Sequence, residues 1–217
     1  INMLIGFFTG LATGAGVVIS QFFGAKDGEG VHKTVHTTLM MTLVLGVFFT
    51  FIGIFMTPFM LRFMATPDNV MASSSEYLRI YFGGVIGLML YNMASGIMRA
   101  VGDSQRPLYF LIFSSIVNVI LDLLFVVGLH MGVAGVAWAT IIAQFASAAL
   151  ALFSLGRSKG DYRFVPRDLR MDWMILKKIV RIGLPAGLQM AVTAFSNVFV
   201  QSYINVFGST CMAGWTS

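Results

Sequence analysis

The sequence predicts an all-α polytopic membrane protein, and three observations carry that expectation. The first is composition: of 217 residues, 57% are hydrophobic and only 11% charged, whereas an average soluble domain is about half apolar and about a quarter charged. A chain of this size has too much surface for so few polar side chains to cover in water, so a second, apolar solvent must take part of it. The second observation is that the apolar residues gather into six stretches, each long enough at ~1.5 Å rise per residue to cross a hydrocarbon layer of ~30 Å as a helix. The third is that the connections between those stretches alternate between strongly basic and poor in basic residues.

The first stretch, Ile1 to Phe23, carries two rows of small residues: Gly6, Gly10 and Gly14, and beside them Ala12, Gly16, Ser20 and Gly24. Such rows let helix backbones approach closely, so they are expected to be packing positions rather than ligands. The second stretch runs from Thr34 to Thr57. The third, Tyr77 to Met98, is preceded by Ser73 and Glu76, whose S-x-x-E spacing is that of a capping box opening a helix. Leu108 to Leu129, Val133 to Leu155 and Ile182 to Phe207 complete the set. Before the last of them, Asp172 is placed to cap a short amphipathic helix, Trp173 to Ile182, whose Lys177, Lys178 and Arg181 would lie among headgroups.

The basic connections are Gly24 to Lys33, Arg99 to Pro107 and Gly156 to Arg181. They hold Lys26, Lys33, Arg99, Arg106, Arg157, Lys159, Arg163, Arg167, Arg170, Lys177, Lys178 and Arg181, leaving only Arg62 and Arg79 on the other side. Lys and Arg are retained on the cytoplasmic face, so the long connection is expected in the cytoplasm and both ends of the sequence outside. The chain starts at Ile1 and not at methionine, and its first stretch lacks the basic leader and cleavage site of a signal peptide. A further span is therefore expected upstream.

The same distribution excludes a nucleic-acid footprint, because the net charge of +5 is spread over gaps between apolar runs and forms no face interleaved with aromatics. Cys211 is the only cysteine, which excludes an internal disulfide, and no other ligand type neighbours it. His32 and His36 share a helical face without the Glu of a metalloprotease motif, and read as interfacial residues. G-x-S-x-G, P-loop and C-x-x-C motifs are all absent, so neither enzymatic activity nor a cofactor is expected.

Within the spans the informative residue is Asp122. A charged side chain at mid-membrane costs roughly 3 kcal/mol or more unless it is paired, protonated or solvated from a cavity, so it is a functional candidate by default. Asn118 lies four residues earlier. That spacing puts both side chains on one helical face, where they can converge on one cation or share a hydrogen bond. The competing reading is a hydrogen bond that merely packs two helices. Tyr77, Tyr91, Asn92 and Gln189 are polar or amphipathic within spans and are candidate substrate-cavity residues. The 15 methionines and 20 phenylalanines offer adaptable apolar contacts for varied ligands, although most must face lipid or neighbouring helices.

Several runs resemble the multidrug and toxic compound extrusion (MATE) family. Gly10-Leu-Ala-Thr-Gly14-Ala-Gly-Val-Val-Ile-Ser-Gln21-Phe-Phe-Gly24-Ala-Lys26-Asp27 is similar to the second helix and first cytoplasmic loop of such transporters. Arg99-Ala-Val-Gly102-Asp103-Ser-Gln-Arg106-Pro107 resembles their next cytoplasmic loop, followed by Asn118-Val-Ile-Leu-Asp122 and Gly132-Val-Ala-Gly135-Val-Ala-Trp138-Ala-Thr140; Gly183-Leu-Pro185 resembles the opening of their seventh helix. The resemblance covers nearly the whole chain and implies helices two to seven of twelve. It divides the chain into most of an N-terminal lobe (1–155), a cytoplasmic interlobe linker (156–181) and the first helix of a C-terminal lobe (182–217).

The resemblance further implies a secondary active exporter of cationic or amphipathic compounds, working by alternating access against sodium ions or protons. It assigns cation coupling to Asn118, Asp122 and Thr140, and implies a multi-pass protein of the plasma membrane, the inner membrane of a bacterium. Expected partners are small drug-like substrates, the bilayer and the remainder of the same polypeptide. Some members carry an acidic residue in the seventh helix where Thr193 stands here, which moves the expectation for coupling to the N-terminal lobe. Two alternatives stand beside this one. A lipid-linked oligosaccharide flippase would want cationic residues at mid-span to hold pyrophosphate, and a non-transporting membrane scaffold would need no buried carboxylate.

Overall fold

The computed structural model describes residues 2–63 and 68–206, and all regular structure among them is helical. Seven α-helices follow in chain order: α1 Asn2–Gly24, α2 Gly28–Phe63, α3 Asp68–Gly83, α4 Val85–Ala100, α5 Gln105–Asp122, α6 Gly132–Arg157 and α7 Trp173–Val206. A π-helical segment, Leu123–Gly128, prolongs α5, and a 3-10 turn, Pro166–Asp168, interrupts the long connection. Cys211 and the expected end of the last span at Phe207 lie outside the described residues. Taken singly, α2 over Gly28–Phe59, α5 with its continuation over Gln105–Gly128 and α6 over Gly132–Arg157 are long and apolar enough to cross a membrane. α3 and α4 reach that length together, and α1 is apolar over the shorter stretch Phe8–Gly24.

The third span departs from expectation in two ways. It is not one helix but two, bent by 43° at the adjacent Gly83 and Gly84, because two glycines in succession weaken the helix. The side chain of Ile141 in α6 occupies the place where a Cβ on Gly84 would stand. The helix also starts earlier, at Asp68, so Ser73 and Glu76 sit inside α3 and do not form its capping box.

The first two basic connections end and restart helices by one shared device. At the end of α1, the N–H of Asp27 donates to the Phe22 carbonyl and that of Lys26 to Phe23; at the end of α4, Asp103 donates to Met98 and Gly102 to Arg99. Both are Schellman closures, with the left-handed position filled by Gly102 (φ 91°) in one and by Lys26 (φ 57°) in the other. Each aspartate then caps the next helix: an Asp27 oxygen accepts from the Gly30 N–H at 2.9 Å, and an Asp103 oxygen from the Arg106 N–H at 3.2 Å.

Asp172 caps its helix as expected, accepting from the backbone N–H groups of Met174 and Ile175 at 2.9 and 3.2 Å. That helix does not stop at Ile182. It continues as α7 through Pro185 to Val206, so the amphipathic segment and the last span are one rod. Beyond residue 182, α7 packs directly on α1. A Cβ on Gly10 would collide with the Gly187 backbone, and one on Gly14 would come within 2.5 Å of the Gly183 nitrogen. The first small-residue row thus meets α7 backbone to backbone. The second row faces α4: Gly96 lies against Ala12, and the Ser20 hydroxyl donates to the Ala100 carbonyl at 3.0 Å.

The core lies between α1, α2, α4, α6 and the start of α7. Phe8, Leu11, Val18, Met41, Met89 and Ile179 form one buried cluster; Ile19, Val35, Leu39, Ile97, Met98 and Leu155 form another nearer the basic connections. By contrast α5 is covered on little more than one side, with Leu108, Phe113, Ile116, Val119 and Ile120 all exposed. Exposed apolar residues in that number suit a helix facing lipid or a further membrane segment.

Candidate functional site

The site is built on the one side of α5 that packs. Ser114, Asn118 and Asp122 are spaced by four residues and so form a single stripe. Ser114 is buried and its hydroxyl donates to the Ala143 carbonyl of α6 at 2.9 Å, which fixes that stripe against α6. Further along the pair, the Phe125 Cβ lies 3.0 Å from where a Cβ on Gly135 would stand. Between these two anchors of antiparallel helices, equal rise per residue brings Asn118 level with Thr140 and Asp122 close to Ala137.

Two polar atoms on this stripe have no hydrogen-bond partner although they are shielded from solvent: Asn118 Nδ2 and Asp122 Oδ1. Leaving such a group unsatisfied costs about 1–3 kcal/mol, more when it is charged. Thr140 does not donate to Asp122, since its hydroxyl proton goes to the Val136 carbonyl of its own helix at 2.9 Å. Asp122 is also the last α-helical residue before the π-helical segment. There the Leu129 N–H reaches back to the Leu124 carbonyl at 2.9 Å, a wider and weaker closure that is common where helices serve a function. Nothing in the apolar run Leu123 to Leu129 distinguishes that closure from an α-helical one, so no sequence signal could have found it.

The proposed cavity residues fare unevenly. Tyr91 is 9% exposed and packed in the core, and its hydroxyl proton is committed to the Pro107 carbonyl at 2.9 Å. Asn92 donates one amide N–H to the Leu88 carbonyl at 2.8 Å. Tyr77 stacks on Tyr81 with centroids 6.1 Å apart. Gln189 is exposed on α7, its backbone carbonyl accepting from the Thr193 hydroxyl at 2.9 Å. These four are therefore distributed over three helices, α3, α4 and α7.

The two histidines are not simply interfacial. His36 is 2% exposed and lies beneath the long connection. Its Nδ1 donates to the His32 carbonyl at 2.8 Å, so Nε2 is free to accept from the Val165 N–H at 3.1 Å. Thr37 accepts from the Asp172 N–H at 3.1 Å, and His32 Nε2 lies 3.6 Å from Asp168 Oδ2. Ligand atoms of His32, His36 and Asp168 fall within 4.8 Å of one another, but a cation there would have to take the His36 lone pair from the backbone. The group is a clamp that ties the connection to α2, and the sequence reading missed it because the partners lie far apart along the chain.

A family model described as MatE matches residues 1–124, more than half of the chain. The chain belongs to the MatE family. Among its relatives, "Probable multidrug resistance protein YoeA" of Bacillus subtilis is 34% identical over 98% of this chain and 48% of its own length. "Probable multidrug resistance protein YpnP" of the same organism is 31% identical over 98% of this chain and 47% of its own length. The chain thus spans about half the length of the curated relatives it matches. A crystal structure of MATE in the bent conformation superposes with a TM-score of 0.88 at 27% identity, covering 99% of this chain and 48% of that one. An inward-facing multidrug resistance MATE transporter gives 0.83 at 28%, covering 92% and 46%. The relatives named here are multidrug resistance proteins and the solved structures are MATE transporters, and this chain shares their polytopic helical fold.

Proposed function

We propose that this MatE chain belongs to a secondary multidrug exporter of the plasma membrane, in which Asp122 and Asn118, with Thr140 level beside them, form the cation-coupling site. The observation that carries the reading is the pair of shielded, unpartnered atoms at Asn118 and Asp122. A carboxylate kept in the membrane without a partner is costly in the empty state, and a bound cation removes the cost. Carboxylate, amide and hydroxyl oxygens are hard ligands suited to sodium, and rotation of the Asn118 amide presents its oxygen; a proton on Asp122 would discharge the same group. The similarity to relatives with multidrug names supports drug-like compounds as the cargo.

Coupling follows if the cation binds one conformation more tightly than another, since only differential affinity shifts populations. The π-helical segment beside Asp122 supplies a backbone that can change register at low cost. Each charge crossing 100 mV contributes about 2.3 kcal/mol towards export. The test is Asp122→Asn in the full-length protein in proteoliposomes, with sodium and proton gradients imposed separately. The expected result is normal insertion and drug binding without uphill export under either gradient. Gradient-driven export equal to wild type, at equal protein abundance, would show that Asp122 is a packing residue.

A further inference from the structure

We infer that the groove between the basic ends of α5 and α6 is a binding site for one anionic glycerophospholipid. The groove encloses about 650 Å³ and is lined by Arg106, Arg157, Lys159, Tyr162, Phe110 and Phe153 among others. Its charges are one-sided. Arg157 and Lys159 are exposed and enter no ion pair among the described residues, whose pairs are His32–Asp168, Lys33–Glu29 and Arg106–Asp103. Arg106 contacts Asp103 through Nε at 3.1 Å, which orients the guanidinium and leaves its terminal amino groups free. Asp161, close by in sequence, is turned away and lies against Gly28 at the start of α2.

The polarity of the groove is ordered in depth. Phe110 follows Arg106 by four residues in α5, and Phe153 precedes Arg157 by four in the antiparallel α6. In each helix a cation therefore stands at the end of the span with an aromatic ring on the same face about one turn, ~5.4 Å, deeper. Phe153 is 65% exposed, an open apolar surface at acyl-chain depth. A soluble anion would use only the upper half of this arrangement, whereas a phospholipid has a phosphate at one level and chains immediately below it. Basic pockets between helices at the cytoplasmic face are the usual receptors for anionic headgroups. A second cavity on the same side, lined by Lys33 and Arg170, also holds Asp168 and Asp172 and no aromatic ring apart from the histidines, so it lacks both features. The inference does not depend on which compound or ion is moved.

The experiment uses the purified full-length protein in detergent, titrated with fluorescently labelled phosphatidylglycerol and, separately, phosphatidylcholine, with inorganic phosphate as competitor. Wild type is expected to bind phosphatidylglycerol at least tenfold more tightly than phosphatidylcholine. The double variant Arg157→Gln with Lys159→Gln should lose that preference, while Lys177→Gln with Arg181→Gln, which removes equal charge from α7, should change it less than twofold. Millimolar phosphate should leave the lipid bound. Equal weakening by both double variants would mean diffuse attraction, and displacement by phosphate would mean a soluble-anion site; either overturns the inference, as does undiminished preference in the groove variant. A melting temperature for each protein shows that loss of binding is not loss of fold.

Discussion

Two seams of this molecule are built on opposite plans. Where α1 meets α7, Gly10 and Gly14 lie on Gly187 and Gly183 with no room for a single added carbon, and dispersion between backbones holds the helices. Where α5 meets α6, one hydroxyl bond from Ser114 to Ala143 fixes the register, most of α5 is exposed, and the next two polar positions are left unpartnered. The first seam leaves no buried side-chain polar atom without a partner among the described residues. The second holds unspent polar capacity beside a π-helical segment, which is what the proposed cation site would need. In the proposed transport cycle the close α1–α7 seam would be the fixed part of the bundle and the α5–α6 seam the adjustable one.

The comparison breaks most sharply at Gly14. Gly14→Leu must displace the α7 backbone, since the Gly183 nitrogen and Cα stand 2.5 and 2.6 Å from the added Cβ. Overpacking of that kind should cost about 3 kcal/mol in thermal unfolding of the full-length protein. Between the two seams lies the clamp on the long connection. His36→Ala removes the acceptor of the Val165 N–H and should cost about 2 kcal/mol, seen as faster proteolytic cleavage between Gly156 and Asp172 with the spans intact. On the adjustable seam the effect should be small: Ser114→Ala loses one bond to a carbonyl and should cost about 0.6 kcal/mol. Smallest of all, Gly16→Ala meets nothing closer than the Gly96 oxygen at 3.9 Å, and its melting temperature should be unchanged or slightly raised by better helix propensity, worth up to ~1 kcal/mol. If Ser114→Ala proved as damaging as Gly14→Leu, the contrast between the seams would collapse.

Much of this organisation is legible in the residues. The Gly6, Gly10, Gly14 row announces close packing because only small side chains permit it. Asp172 is legible as a cap, since its side chain needs only the next turn of its own helix. The S-x-x-E pair at Ser73 and Glu76 shows the opposite case: the same local chemistry occurs inside α3, because a capping pattern cannot by itself stop a helix from starting earlier. Asp122 was identifiable from the expense of charge in lipid. That Tyr91 is committed to Pro107 was not, because a tyrosine in a span looks the same whether its hydroxyl faces a cavity or a carbonyl.

By itself the sequence determined the solvent, the helices and the position of the costly carboxylate, because hydropathy and the 3.6-residue period act over a turn or a span and need no knowledge of partners. Only the tertiary structure decided which glycine row met α7 and which met α4, that the long connection docks on His36 and Thr37, that α7 runs unbroken through the expected domain boundary, and that the helix opens to a π turn after Asp122. The physical reason is common to all of them. These outcomes are settled by contacts between segments distant in the chain or by backbone closures that leave the side-chain pattern unchanged, and neither leaves a periodic trace in the residues.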